Sequence, residues 1–90
     1  MESVHLLIAG EVQGVGFRWF VQAHAQQLGV VGTVRNLRDG RVEVIAAGER
    51  AQLESLLARC REGPPYSQVD EVEVEWRSAT GRHRDFRITG

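Results

Sequence analysis

The chain has 90 residues, of which 42% are hydrophobic and 26% are charged, and its formal net charge is −1. This length predicts a single domain spanning residues 1–90, and the ordinary composition excludes a disordered or fibrous protein. The near-neutral charge argues against a nucleic-acid partner, and the lack of any apolar stretch approaching the roughly 20 residues that cross a bilayer argues against a membrane partner.

The first third of the sequence predicts a strand, a loop and a helix. Residues 4–9 form a continuous apolar run with one histidine, which indicates a buried central strand. Residues 10–16 contain three glycines, a composition typical of a loop. Residues 18–28 have helical periodicity, and Gly29 is a natural C-terminal stop. The apolar face of this helix is expected to contain Phe17, Val21, either His24 or Ala25, and Leu28.

The next segment predicts a hairpin. Residues 30–37 read as a strand, and the Asp-Gly pair within residues 38–40 favours a tight turn because it supplies the positive φ angles that hairpins need. A return strand is expected over residues 41–47, where valines alternate with charged side chains, and Gly48 is expected to end it.

The last part predicts a second helix and two further strands. Residues 49–61 are helical in pattern, and the Gly-Pro-Pro of residues 63–65 ends the helix. Residues 69–76 alternate valine and tryptophan with glutamate, so one face of this strand is expected to be solvated. A polar loop is expected over residues 78–84, followed by a short strand at residues 86–88. The apolar stripe of the second helix comprises Leu53, Leu56, Leu57 and Cys60.

This order, β-α-β-β-α-β with a small extra strand, is that of the ferredoxin-like or split β-α-β arrangement. We therefore expect an α+β sandwich in which two helices cover one face of an antiparallel sheet of four to five strands. The other face of the sheet is expected to be partly exposed.

The single cysteine, Cys60, excludes a disulfide within the chain. The first residues lack the basic segment and cleavage site of a secretory signal peptide. Both observations favour a reduced, cytoplasmic compartment.

The glycine-rich segment is the first candidate site. Glycines allow successive backbone N–H groups to point into one concavity, and a helix start adds unpaired N–H groups and a partial positive charge. Arg18 adds a planar fork of donors that suits phosphate oxygens. The alternative interpretation is an ordinary turn followed by a solvated arginine. A Walker A loop is excluded because no Gly-Lys-Ser/Thr follows, and the dinucleotide fingerprint lacks its third glycine.

The second candidate is Asn36, the only asparagine in a chain whose eleven basic residues are all arginine. An amide has a donor and an acceptor, so it can hold a water molecule by one atom and a ligand by the other. The alternative is that Asn36 serves only turn geometry. No metal-ligand spacing relates the three histidines, and Cys60 is expected to be inert packing. These histidines are His5, His24 and His83.

These motifs together resemble the acylphosphatase family. Residues 10–18 match the family signature G-x-V-Q-G-V-G-F-R at every fixed position. The second signature is matched by Gly32-x-Val34-Arg35-Asn36 and the following Asp39-Gly40-x-Val42-Glu43. The resemblance covers nearly the whole chain, although Glu11 stands where the family commonly has a basic or neutral residue.

The resemblance implies a hydrolase that converts acyl phosphates to a carboxylate and inorganic phosphate, without metal or cofactor. Arg18 and the backbone N–H groups of the loop would bind the substrate phosphate, and phosphate or sulfate would bind as product-like ligands. Asn36 would orient the nucleophilic water, and the substrate phosphate itself would accept the proton. A monomer is expected. The loop residues implied are Gln13, Gly14, Val15, Gly16, Phe17 and Arg18.

Three other functions share some of these features. RNA-recognition motifs have the same element order, but they need aromatic side chains on the central strands and a basic face, and residues 41–47 contain no aromatic. A regulatory domain would bind a small anion without turnover. The acylphosphatase-like domain of hydrogenase-maturation proteins handles carbamoyl phosphate, and the absence of zinc-binding cysteines or a further domain within residues 1–90 is expected to weigh against that function.

Overall fold

The computed structural model of the protein describes residues 1–79, 81 and 83–90. Within these residues the chain forms five strands and two helices. In chain order they are β1 (Glu2–Glu11), α1 (Phe17–Leu28), β2 (Val31–Asn36), β3 (Val42–Gly48), α2 (Arg50–Glu62), β4 (Gln68–Ser78) and β5 (Phe86–Ile88).

Every predicted element is present, and the differences lie at the element ends. β1 and β4 are longer than predicted because their pairing continues from Glu2 and Ser78 to Glu11 and Gln68, through a register shift at Ala9 and Gly10. The third strand was expected to stop before Gly48, but Gly48 still pairs with Glu2 and is the last residue of the strand. The predicted polar loop over residues 78–84 includes Thr80 and Arg82, which lie outside the described residues.

The strand order in the sheet is β4-β1-β3-β2-β5. β1 is antiparallel to both its neighbours and β2 is antiparallel to β3, as expected, but β5 is parallel to β2. The sheet is therefore mixed at this edge. The reason is topological. β4 ends at the level where β1 and β2 begin, and the chain starts β5, on the other side of the sheet, from that same level. β5 therefore runs in the direction of β2.

Both helices pack on one face of the sheet and form a single core with it. α1 buries Phe17, Val21 and Ala25, whereas His24 lies at the margin with its ring 4.5 Å from that of Phe20. α2 contributes three buried side chains, Leu53, Leu56 and Cys60. The sheet contributes Val4, Leu6, Ile8, Val34, Val42, Val44 and Ala46.

Cys60 is inert packing, as predicted. The thiol is buried in this core, and burial raises its pKa to about 12. The nucleophilic thiolate is therefore not formed near neutral pH. No helix in the described part of the chain is long and apolar enough to span a membrane.

The opposite face of the sheet is partly exposed, as predicted, and carries several charged side chains. The glutamates of β4 are exposed, and the partly buried Glu43 accepts hydrogen bonds from His5 Nε2 at 2.9 Å and Arg35 Nε at 2.6 Å. Burial opposes ionisation of Glu43, but these hydrogen bonds outweigh it and hold the pKa of the carboxyl below its ordinary value. The cluster links β1, β3 and β2 across the open face.

The strand directions decide what lies at each edge of the sheet. β1 and β2 are parallel to each other, so both end at one edge, where β3 and β4 begin. α1 also begins here because it follows the end of β1, and α2 ends here because it precedes the start of β4. We call this edge the loop end of the sheet.

Gly32 in β2 has a φ of +145°, and a Cβ built there would lie only 1.8 Å from the carbonyl oxygen of Ile45. We predict that Gly32→Ala destabilises the fold by backbone strain of about 1–3 kcal/mol and by a clash of about 1–3 kcal/mol. Gly40→Ala is the matched control, because Gly40 also has a positive φ but its Cβ would meet nothing within 4 Å. Urea unfolding measures both variants, and equal losses of unfolding free energy would contradict the close approach at Gly32.

Candidate active site

The segment between β1 and α1 is a loop fixed by its valines and shaped by its glycines. Val12 is buried, with 1% of its surface exposed, and Val15 packs against the core. Gly14 lies between these two valines and Gly16 follows Val15, and their φ values are 75° and 77°. This left-handed conformation costs glycine little and other residues more. The loop thus keeps a fixed path while its glycine positions remain at the surface.

The loop and the first turn of α1 have backbone donors that find no acceptor in the part of the chain that the structure describes. α1 begins at Phe17 after Gly16, with no side-chain cap and no acidic residue in its first turn. By contrast, the side chains of Glu49 and Gln52 form a capping box at the start of α2. The N–H groups of residues 13–16 also donate no hydrogen bond to another described residue. Such a row of donors, next to the positive end of a helix dipole, favours an anion.

Arg18 is the second residue of α1 and is partly buried. It takes part in none of the ion pairs found among the described residues. Side chains in a helix lean toward its N-terminus, so the guanidinium is directed to the loop side of the first turn. The site therefore combines a positive charge with the backbone donors.

Asn36 is the last residue of β2 and lies on the face that the helices cover. It is opposite Val42, which in turn is opposite Ile8, and both of these neighbours are buried. Its Oδ1 atom is buried and accepts no hydrogen bond from another described residue. Burial of an unpaired acceptor is unfavourable. A water molecule or ligand that donates a hydrogen bond to Oδ1 would remove this cost.

The turn after Asn36 does not use its side chain. Gly40 N–H donates to the Leu37 carbonyl at 3.2 Å, and Arg41 N–H donates to Asp39 Oδ1 at 3.0 Å. These bonds account for the hairpin turn that the alternative interpretation assigned to Asn36. Its amide is left available for another role.

Gln13 joins the loop to this hairpin. Its side-chain Nε2 donates hydrogen bonds to the carbonyl oxygens of Leu37 at 2.7 Å and Arg41 at 3.0 Å. The signature predicted a contribution from the backbone of Gln13 and none from its side chain. No sequence signal was available, because the partners are main-chain atoms 24 and 28 residues away.

The tertiary structure thus brings the predicted residues to one place, the loop end of the sheet. The loop follows β1, Arg18 begins the helix above it, and Asn36 ends β2, against which α1 packs. Glu11 is exposed and belongs to β1, where it pairs with Gln68. The arrangement offers donors and positive charge for an anion, with a buried amide oxygen beside them.

The remaining candidates do not join this site. His5 bonds Glu43 on the open face, and His24 lies against Phe20. His83 lines a cavity of about 260 Å³ on the open face, to which none of the predicted site residues contributes. Among the described residues no three His, Cys, Asp or Glu side chains are grouped to hold a metal ion.

Known proteins match this chain along nearly its whole length. A family model described as Acylphosphatase matches residues 4–88. The protein named Acylphosphatase from Koribacter versatilis is 51% identical over 89 residues, which cover 99% of this chain and 81% of the relative. The crystal structure of acylphosphatase from Bacillus subtilis has a TM-score of 0.97 and 37% identity, and all of both chains is covered.

A larger protein contains a similar segment. The structure of HypF from T. kodakarensis aligns with a TM-score of 0.86 and 30% identity, covering 100% of this chain but 12% of that chain. This chain is thus similar in size to the first two relatives and corresponds to a small part of the third.

We predict that Gln13→Met, which keeps the length of the side chain and removes its donors, lowers the free energy of unfolding by about 1–3 kcal/mol, because two hydrogen bonds worth about 0.5–1.5 kcal/mol each are lost while each carbonyl oxygen keeps one backbone donor. The control is Gln27→Met, at an exposed position of α1, which should change the free energy by less than about 0.5 kcal/mol. Chemical denaturation followed by circular dichroism measures both. Equal stability of the two variants would mean that the Gln13 amide does not hold the loop to the hairpin.

Proposed function

The chain belongs to the acylphosphatase family of enzymes, and we propose that it hydrolyses the carboxyl–phosphate bond of acyl phosphates by means of the loop, Arg18 and Asn36. The products are a carboxylate and inorganic phosphate. The observation that carries this proposal is the convergence, at the loop end of the sheet, of unpaired backbone donors and Arg18 with the buried, unpaired Oδ1 of Asn36.

The phosphate group of the substrate is bound by the loop. The N–H groups of residues 13–18 and the Arg18 guanidinium donate hydrogen bonds to its non-bridging oxygens. Positive charge and fixed donors stabilise the charge that these oxygens carry in the transition state, and phosphoryl transfer depends mainly on such positioning and electrostatics. The residues of the cradle are Gln13, Gly14, Val15, Gly16, Phe17 and Arg18.

The attacking water is positioned by Asn36. Its Oδ1 accepts a hydrogen bond from the water, which leaves a water lone pair free for attack on phosphorus. The new bond forms between the water oxygen and phosphorus, and the bond between phosphorus and the carboxylate oxygen breaks. One water proton passes to an oxygen of the transferred phosphate, and the carboxylate leaves with the bonding electron pair.

This reaction needs few catalytic side chains. A carboxylate is a good leaving group, so no general acid is needed to protonate it. The substrate phosphate accepts the proton, so no side-chain base is needed. The proposed set of residues, with one arginine, one asparagine and main-chain amides, is therefore sufficient, and phosphate or sulfate should bind as a product-like ligand.

The alternative of RNA binding has little support from the sheet surface. The described strands present no aromatic side chain on the open face, and the arginines there are paired with glutamates, as in Arg35 with Glu43 and Arg41 with Glu73. Over these residues the face therefore lacks the stacking rings and the free basic surface that RNA recognition needs. The expected cytoplasmic location and monomeric state stay predictions.

We predict that Arg18→Ala lowers kcat/KM for benzoyl phosphate by about 10³ or more, because the variant loses the cation that clamps the transferred phosphate. Arg87→Ala is the control, since Arg87 is exposed on β5 and its ion-pair partner among the described residues is Asp85. Steady-state hydrolysis by both folded variants is the measurement. Wild-type rates for Arg18→Ala would refute the assignment.

We predict that Asn36→Ala lowers kcat by about 10²–10³ with a smaller change in the dissociation constant of inorganic phosphate, because water positioning contributes to the chemical step. Turnover of benzoyl phosphate and calorimetric titration with phosphate separate the two effects. If the wild type binds phosphate but leaves benzoyl phosphate intact, the protein is an anion-binding domain and the enzymatic proposal fails.

A further inference from the structure

Three large hydrophobic side chains are exposed in the described part of the chain, and two of them lie at the loop end. Trp19 is 69% exposed and Tyr66 is 87% exposed. The third, Met1, precedes β1 and therefore lies at the opposite edge of the sheet. Exposed aromatic surface is unfavourable in water, and its concentration beside a binding site commonly marks contact with a ligand.

Trp19 lies beside the proposed phosphate cradle. It is the third residue of α1 and directly follows Arg18. Because helical side chains lean toward the N-terminus, its indole is directed to the same end of the helix as the guanidinium of Arg18. The buried face of α1 is occupied by Phe17 and Val21, so the indole remains on the outer side of the cradle.

Tyr66 is held at the same end by an ordered turn. The turn runs from Pro64 to Ser67, and both the N–H and the hydroxyl of Ser67 donate to the Pro64 carbonyl, at 3.0 and 2.7 Å. The preceding Gly63 is so close to α1 that a Cβ there would lie 3.1 Å from the ring of Phe17. The turn therefore adjoins the first residue of α1.

An acyl phosphate has two parts, and the proposed cradle accounts for only one of them. The phosphate is bound at the first turn of α1, so the acyl group must extend outward from that turn at the loop end. There the exposed hydrophobic side chains are Trp19 and Tyr66. We infer that these two side chains form a rim that binds the acyl group and favours acyl phosphates with an aromatic ring over those with a small aliphatic acyl group. This inference rests on the proposed function.

The test compares two phosphonates that cannot be hydrolysed and that differ only in the acyl group. Phenacylphosphonate carries a phenyl ring, and acetonylphosphonate carries a methyl group in its place. Calorimetric titration measures the dissociation constant of each, and of inorganic phosphate, for the wild type, Trp19→Ala, Tyr66→Ala and the exposed control Gln27→Ala. Hydrolysis of benzoyl phosphate and acetyl phosphate by the same proteins is measured separately.

We expect each aromatic substitution to weaken binding of phenacylphosphonate about two- to tenfold, the value of one stacked aromatic pair, and to change binding of acetonylphosphonate and phosphate less than twofold. Gln27→Ala should affect none of the three. Tyr66→Phe should retain the preference, because the ring and not the hydroxyl makes the contact.

Equal effects on both phosphonates, or no effect on either, would overturn the inference. If the wild type hydrolyses both acyl phosphates while the variants keep its preference between them, the rim is refuted and the proposed function stands. If the wild type hydrolyses neither but phenacylphosphonate binding still depends on the two rings, the catalytic proposal fails and ring recognition stands. Failure of phosphate and both phosphonates to bind would refute both.

Discussion

The hydrogen bonds from the Gln13 amide to the carbonyl oxygens of Leu37 and Arg41 connect the two halves of the proposed site. Each half is local: the loop and the first turn of α1 form one, and the end of β2 forms the other. A loop of glycines has many conformations available to it, and its donors would be spread without a fixed anchor. The glutamine, together with the buried Val12, limits that freedom and holds the donors next to Asn36.

The charges around the proposed site favour an anion at the start of α1. The first turn of α1 contains Arg18 and no acidic residue. Acidic side chains do lie elsewhere at the loop end, among them Asp39, which forms an ion pair with Arg41, and Glu11, which is exposed at the end of β1. On the open face, Glu43 is hydrogen-bonded to His5 and Arg35. The start of the helix therefore offers donors and positive charge with no carboxylate in its own first turn.

The family signatures and the exposed aromatic side chains are proposed to bind different parts of the substrate. In the proposed mechanism, the signature at residues 10–18 binds the phosphate and the signature around Asn36 positions the water. Trp19 and Tyr66 lie outside both signatures, and the turn at Pro64 presents Tyr66 to solvent although it is adjacent to the core. The proposed rim therefore selects among acyl groups independently of the residues that are proposed to break the bond to phosphorus.

The sequence by itself determined the helices, strands and turns, because the period of the hydrophobic residues and the turn-forming residues depend only on neighbours along the chain. The alternation in β4, the Asp-Gly turn and the glycine stop of α1 were all predicted, and so was the ferredoxin-like order. What only the tertiary structure decided depends on contacts between distant segments. It selected Ala25 over His24 for the core, paired β5 in parallel with β2, and brought the Gln13 side chain to the hairpin. The burial of Ala25 follows from how α1 packs on the sheet, and the other two outcomes follow from strand direction and from main-chain acceptors. None of these leaves a pattern in the residues themselves.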